Sequence, residues 1–111
     1  MTTVFGKIIA GQIPCKKVFE NDSVLAIEDI APVAPVHLLI IPKKPIANLQ
    51  ALSEEDFPLI LEVIKVAKKL AKEYGIEEGY RLITNSGAEA GQTIFHLHFH
   101  LIGGRPLTHL G

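Results

Sequence analysis

The chain has 111 residues, enough for one domain spanning 1–111 and short of the roughly 50 more that a second hydrophobic core would require. Its 48% hydrophobic content, against 21% charged residues, supplies a core and excludes a disordered chain. Twelve acidic and 11 basic residues nearly cancel, which excludes the broad positive field that holds a nucleic acid polymer.

Thr2 or Thr3 can cap a short helix through Ala10, which Gly11 stops and Pro14 prevents from continuing. The single cysteine, Cys15, can close no intramolecular disulfide, and the first residues lack the charged start and apolar stretch of a secretion signal. A reducing cytoplasm is the expected location. Lys17 to Phe19 and Val24 to Ile30 flank the turn formers Asn21-Asp22-Ser23 and read as a hairpin. Pro32 and Pro35 bracket a loop, and His37 to Ile41 then reads as a buried strand ended by Pro42. The longest apolar run, Val36 to Ile41, contains His37 and falls far short of the roughly 18 residues needed to span a bilayer, so no membrane partner is expected.

From Ser53, apolar residues Phe57, Ile60, Leu61, Ile64, Ala67, Leu70, Ala71 and Tyr74 recur at spacings of three and four, an amphipathic helix stopped by Gly75. Pro58 lies near its first turn, where a missing amide costs least. Tyr80 to Thr84 and Ile94 to Ile102 read as two more strands joined by the loop 85–91. About five strands with short turns, and two helices outside the strand runs, predict an α+β domain with an antiparallel sheet.

The run His96-Leu97-His98-Phe99-His100 carries the chemistry. In a strand, alternation puts the three imidazoles on one face and Leu97, Phe99 and Leu101 on the other. A lone histidine is usually a surface or satisfied core residue, but three in register are not easily accommodated without a function. A metal site is one reading, since imidazole is a common zinc ligand. At about 3.3 Å per residue, however, His96 and His100 attach roughly 13 Å apart, too far to share one ion. Two neighbours could do so with His37 as a third ligand, though no paired cysteines accompany them. Phosphoryl chemistry fits the residue types better: one neutral imidazole attacks phosphorus while its neighbours donate to phosphate oxygens and the leaving group. Gly91-Gln92-Thr93 adds backbone amides and a hydroxyl nearby.

The segment Gly91-Gln92-Thr93-Ile94-Phe95-His96-Leu97-His98-Phe99-His100-Leu101-Ile102 resembles the signature of the histidine triad (HIT) superfamily. Gly103-Gly104-Arg105 is similar to the histidine triad nucleotide-binding (Hint) branch. So, in order, are Phe5-Gly6-Lys7-Ile8-Ile9, Ile13-Pro14, the stretch Asp29 to His37, and Ile41-Pro42-Lys43-Lys44.

The resemblance implies a HIT-like fold, a homodimer, and hydrolysis of purine nucleoside phosphoramidates or related adenylates with no cofactor and no metal. It implies that His98 is the nucleophile and forms a nucleotidyl-histidine intermediate. His100 and His37 would contact phosphate oxygens or the leaving group, and His96 would support the nucleophile. Asp29 would accept hydrogen bonds from ribose hydroxyls. Asn85, Gly91, Gln92 and Thr93 would hold the phosphate of a bound purine nucleoside monophosphate, and Phe5, Ile8, Ile27, Ile30 and Leu39 would line the base pocket. The tail Thr108-His109-Leu110-Gly111 lacks the tryptophan that ends some relatives, which leaves leaving-group preference open. Competing functions are dinucleoside polyphosphate hydrolysis, which Gly103-Gly104-Arg105 disfavours, a nucleotide-binding regulatory protein with incidental catalysis, and a metal-binding module. Helix 53–74 is the expected dimer interface.

Overall fold

Residues 2–110 are described by a computed structural model. Among them the order is α1 (Val4–Ile9), β1 (Lys17–Glu20), β2 (Val24–Glu28), β3 (Val36–Pro42), α2 (Phe57–Glu73), β4 (Tyr80–Ile83) and β5 (Phe99–Gly103), with 3₁₀ turns at Leu49–Ala51, Glu54–Asp56 and Ala88–Ala90. The strands form one antiparallel sheet in the order β1-β2-β3-β5-β4, so the last strand is inserted between β3 and β4. This is the α+β architecture with a five-stranded antiparallel sheet expected from the sequence.

Local chemistry accounts for the element ends. Thr3 Oγ1 accepts the Gly6 N–H at 3.1 Å and caps α1, while Gly11 follows its end at φ +78°, a left-handed conformation suited to glycine. Asn21 Oδ1 accepts the amides of Ser23 and Val24 at 2.9 and 2.8 Å, turning β1 into β2. At the same end of the sheet, Asp56 Oδ2 takes both the amide and the hydroxyl of Ser53, and Lys44 pairs with Asp56 Oδ1. The long helix therefore begins as a 3₁₀ turn, and α2 itself starts at Phe57.

The sheet is covered on both faces. Val24, Ala26, Leu38, Ile40 and Leu101 pack against Val63, Val66, Ala67 and Leu70 of α2. Leu25, Ile27, Leu39 and Ile41 pack against Phe5 and Ile8 of α1. Burial on both sides explains why β2 and β3 read as continuous apolar runs.

Two strand limits differ from expectation by more than one residue. β2 ends at Glu28 instead of Ile30, because Asp29 Oδ1 accepts the Ala31 N–H at 2.8 Å and bends the chain into a turn. β5 begins at Phe99 instead of Ile94. The preceding groups bond elsewhere: Leu97 N–H donates to the Ile46 carbonyl at 2.7 Å, and the His98 carbonyl accepts the Thr84 hydroxyl at 2.7 Å. His96 and His98 thus lie outside the ladder, and the single-strand argument for the three histidines fails. Their sidedness survives, since Leu97, Phe99 and Leu101 enter the α2 core while His98 meets Phe5 on the α1 side.

Candidate active site

His37 on β3 and His100 on β5 are diagonal neighbours, because Leu39 pairs with His100 and His37 with Ile102. Their rings stand 5.2 Å apart, the His98 ring follows 5.3 Å from His100, and Phe5 of α1 meets His98 edge-on at 4.8 Å. The structure thereby brings His37, His98 and His100 into one row beside α1. His96 is set apart. It is buried, and its Nε2–H donates to the Pro42 carbonyl at 2.7 Å.

Fixed partners assign the hydrogen on each ring. His98 Nδ1–H donates to the His96 carbonyl at 2.7 Å, so Nε2 carries a free lone pair. His96 therefore orients the His98 ring through its main-chain carbonyl, not through its own ring. His37 Nδ1 accepts the Val33 N–H at 3.1 Å, which places its hydrogen on Nε2. That Nε2 lies 2.9 Å from His100 Nδ1 and 3.2 Å from Asp29 Oδ2. His100 consequently keeps its own hydrogen on Nε2. Burial lowers the His98 pKa below the ordinary imidazole value, with the bond to the His96 carbonyl pulling the other way. His100 is lowered to about 4, first by burial and then by His98 and His37, with Asp29 opposing. Both rings are neutral near pH 7.

Asp29, His37 and His100 each offer a donor atom within 4.8 Å of the others, a spacing that could hold a divalent ion. Their hydrogens point against it. A metal on His37 Nε2 needs the hydrogen on Nδ1, yet Nδ1 faces the Val33 N–H, a donor where metal sites place an acceptor.

A cavity of about 270 Å³ opens beside this row, near the lower end of the range for small-molecule sites. Phe5, Ile8, Ile27, Leu39 and Ile94 form its apolar wall, with Asp29, Thr93 and His100 along its polar side. Ile30 borders it with a fully exposed side chain at the mouth, not in the wall. A larger cavity of about 560 Å³ lies across α1, bordered by Thr2, Gly6, Lys43 and Phe95. His96 borders it, and neither Asp29 nor His100 does; His98 lines neither cavity and sits beside His100 in the row.

The expected phosphate loop is only partly placed at the cavity. Thr93 lines it, whereas Asn85, Gly91 and Gln92 do not. Gln92 is buried beneath the loop: its Oε1 accepts the Gly87 N–H at 2.8 Å, and its Nε2 donates to the Ala47 and Ile94 carbonyls at 2.7 and 3.1 Å. The amides of Gly91 and Gln92 already donate to the Ala88 and Gly87 carbonyls. Gly91, at φ +95°, closes the 3₁₀ turn, so its placement is a matter of loop shape. Asn85 is half-buried just beyond β4.

Three supporting residues escape the sequence reading. The Thr84 hydroxyl holds the His98 main chain, Val33 fixes the His37 ring, and Arg105 Nη2 donates to the Val33 carbonyl at 2.9 Å. A hydroxyl following the strand Tyr80 to Ile83 is the one local hint of the first; Val33 lies only four residues before His37, within the loop that Pro32 and Pro35 bracket, and the Arg105 contact alone is long-range.

Comparison with known proteins agrees with this geometry. The HIT domain model matches residues 10–107. A HIT-like protein of Chlamydia pneumoniae is 56% identical over 105 residues, covering 95% of this chain and 96% of its own. The crystal structure of a HIT family hydrolase from Legionella pneumophila superposes with a TM-score of 0.93 at 47% identity, covering 95% of each chain. That of a histidine triad nucleotide-binding protein from Candida albicans gives 0.82 at 32%, covering 99% of this chain and 87% of its own. The row of histidines, the sheet that carries it and these relatives agree: the chain belongs to the HIT domain family.

Proposed function

We propose that the chain binds a purine nucleoside monophosphate unit and hydrolyses its phosphoramidates, of the AMP-amine and AMP-lysine type, together with related adenylates. The observation that carries this is the His98 ring, set between Phe5 and His100, whose Nδ1–H is tied to the His96 carbonyl so that Nε2 keeps its lone pair. Attack by Nε2 forms an N–P bond as the P–N bond to the amine breaks, and the departing amine takes up a proton. Water then attacks the same phosphorus, returning neutral His98 and releasing the nucleoside monophosphate. His100 Nε2–H and the Thr93 hydroxyl are the donors available to the phosphoryl oxygens. The apolar wall of Phe5, Ile8, Ile27 and Leu39 suits a flat base, and Asp29 suits the sugar hydroxyls.

The test is a denaturing quench at alkaline pH during turnover of an adenosine phosphoramidate, followed by peptide mass spectrometry. One nucleotidyl group on His98 is expected; an adduct on His96, or turnover with no adduct, contradicts the reading.

We also infer a homodimer. Phe57, Leu61 and Ile64 expose an apolar stripe along α2, and β4 ends the sheet. A monomer mass at micromolar protein in sedimentation would contradict this.

A further inference from the structure

We infer that the sugar hydroxyls of the substrate take part in the chemical step by acting, through Asp29, on the hydrogen that His37 shares with His100. The inference rests on the phosphoramidase reading above and extends it from binding to rate.

The geometry is a competition for one hydrogen. Val33 N–H, which can only donate, holds His37 Nδ1 as an acceptor at 3.1 Å, so the neutral ring has a single hydrogen, on Nε2. Two acceptors face that hydrogen: His100 Nδ1 at 2.9 Å and Asp29 Oδ2 at 3.2 Å. A hydrogen divided between two acceptors directs neither bond well. The more of it that goes to His100, the more firmly the His100 ring is oriented, and His100 Nε2–H is the donor that borders the cavity.

Asp29 is also the cavity's acceptor for a pair of hydroxyls. Of the two carboxylates that line it, Glu28 is paired with Lys16 at 3.1 Å. Asp29 spends Oδ1 on the Ala31 N–H at 2.8 Å and turns Oδ2 toward His37. Sugar hydroxyls donating to Asp29 occupy the lone pairs that draw the His37 hydrogen away, and that hydrogen then goes to His100. His37 is a positioning residue in this scheme. The sugar, remote from phosphorus, tightens the donor that serves it, which is binding energy expressed in kcat.

The test compares an AMP-amine phosphoramidate with its 2′,3′-dideoxy counterpart in wild type and in Asp29→Ala. In wild type the dideoxy substrate should lose kcat by about three- to tenfold, the weight of one hydrogen bond, besides any rise in KM. In Asp29→Ala the competitor for the hydrogen is gone, so the kcat ratio between the two substrates should fall to near unity, and kcat for the dideoxy substrate should exceed that of wild type. A penalty confined to KM in wild type, or one that persists in kcat of Asp29→Ala, overturns the inference and leaves the phosphoramidase reading standing. No turnover of either substrate by wild type overturns both. Nitrogen-15 spectra of the imidazoles in wild-type protein give a readout independent of turnover and of the variant's folding. AMP, but not 2′,3′-dideoxy-AMP, should move the His37 Nε2–H proton downfield as its bond to His100 strengthens; equal shifts with both nucleotides overturn the inference.

Discussion

Replacing Gln92 with methionine separates a brace from a ligand contact. Methionine nearly matches glutamine in length and volume, so Gln92→Met removes polar atoms while keeping the space filled. The side chain is 4% exposed and serves the Gly87 amide and the Ala47 and Ile94 carbonyls. A buried polar group left without a partner costs about 1–3 kcal/mol; three such groups, with loop relaxation and entering water recovering part, put the loss at about 2–4 kcal/mol. At this chain length that corresponds to a fall in Tm of roughly 10–20 °C. Urea unfolding followed by circular dichroism should show a lower midpoint with an unchanged slope. AMP titration below the transition should show affinity largely retained. A wild-type midpoint combined with lost AMP affinity would refute the reasoning and return Gln92 to the phosphate.

The pH profile follows from the two lowered imidazoles. An imidazole of ordinary pKa is roughly 10% neutral at pH 5.5, so with His98 held below that value kcat/KM at pH 5.5 should stay well above a tenth of its plateau; a fall to a tenth contradicts it. Stability should decline as pH drops from about 6.5 toward 4, because the unfolded chain protonates His100 first, and acid titration of the urea midpoint checks this. His98→Ala should abolish turnover and keep AMP binding, whereas His100→Ala should slow turnover by about 10² to 10³, the cost of one positioned donor; steady-state kinetics with calorimetry would expose retained turnover in His98→Ala as a failure. EDTA should leave the rate intact, and activity lost to chelation and restored by zinc would favour a metal on Asp29, His37 and His100.

Much of this arrangement was legible because it is local. The Thr3 cap, the Asn21 turn and the spacing of Ala67, Leu70 and Ala71 are written within a few residues of one another, and the structure reproduces them; Phe57, Leu61, Ile64 and Tyr74 of the same apolar series face outward instead, and Val63 and Val66, outside that series, take the buried positions. Phe5, Ile8, Ile27 and Leu39 converge on one cavity. Where the reading of β5 failed, distant groups decided. The Ile46 carbonyl and the Thr84 hydroxyl take the hydrogen bonds that would have extended β5 back to Ile94. Alternation along 96–100 gave the right sides for the wrong reason, since only His100 and Phe99 of that run belong to the ladder.

The short helix α1 has a consequence for how this molecule stops working. Six residues are far below the roughly 12–15 at which an isolated helix holds its shape in water, so α1 persists through the docking of Phe5 and Ile8. The same two side chains form a wall of the cavity, and Phe5 braces His98. Mild heat or denaturant can therefore release α1 as a small opening unit while the two-sided sheet stays folded. Inactivation would then run ahead of unfolding, with α1 amides exchanging sooner than those of β3. Thermal tolerance of turnover is set by the docking of one and a half helical turns, and tolerance of the fold by the sheet beneath it.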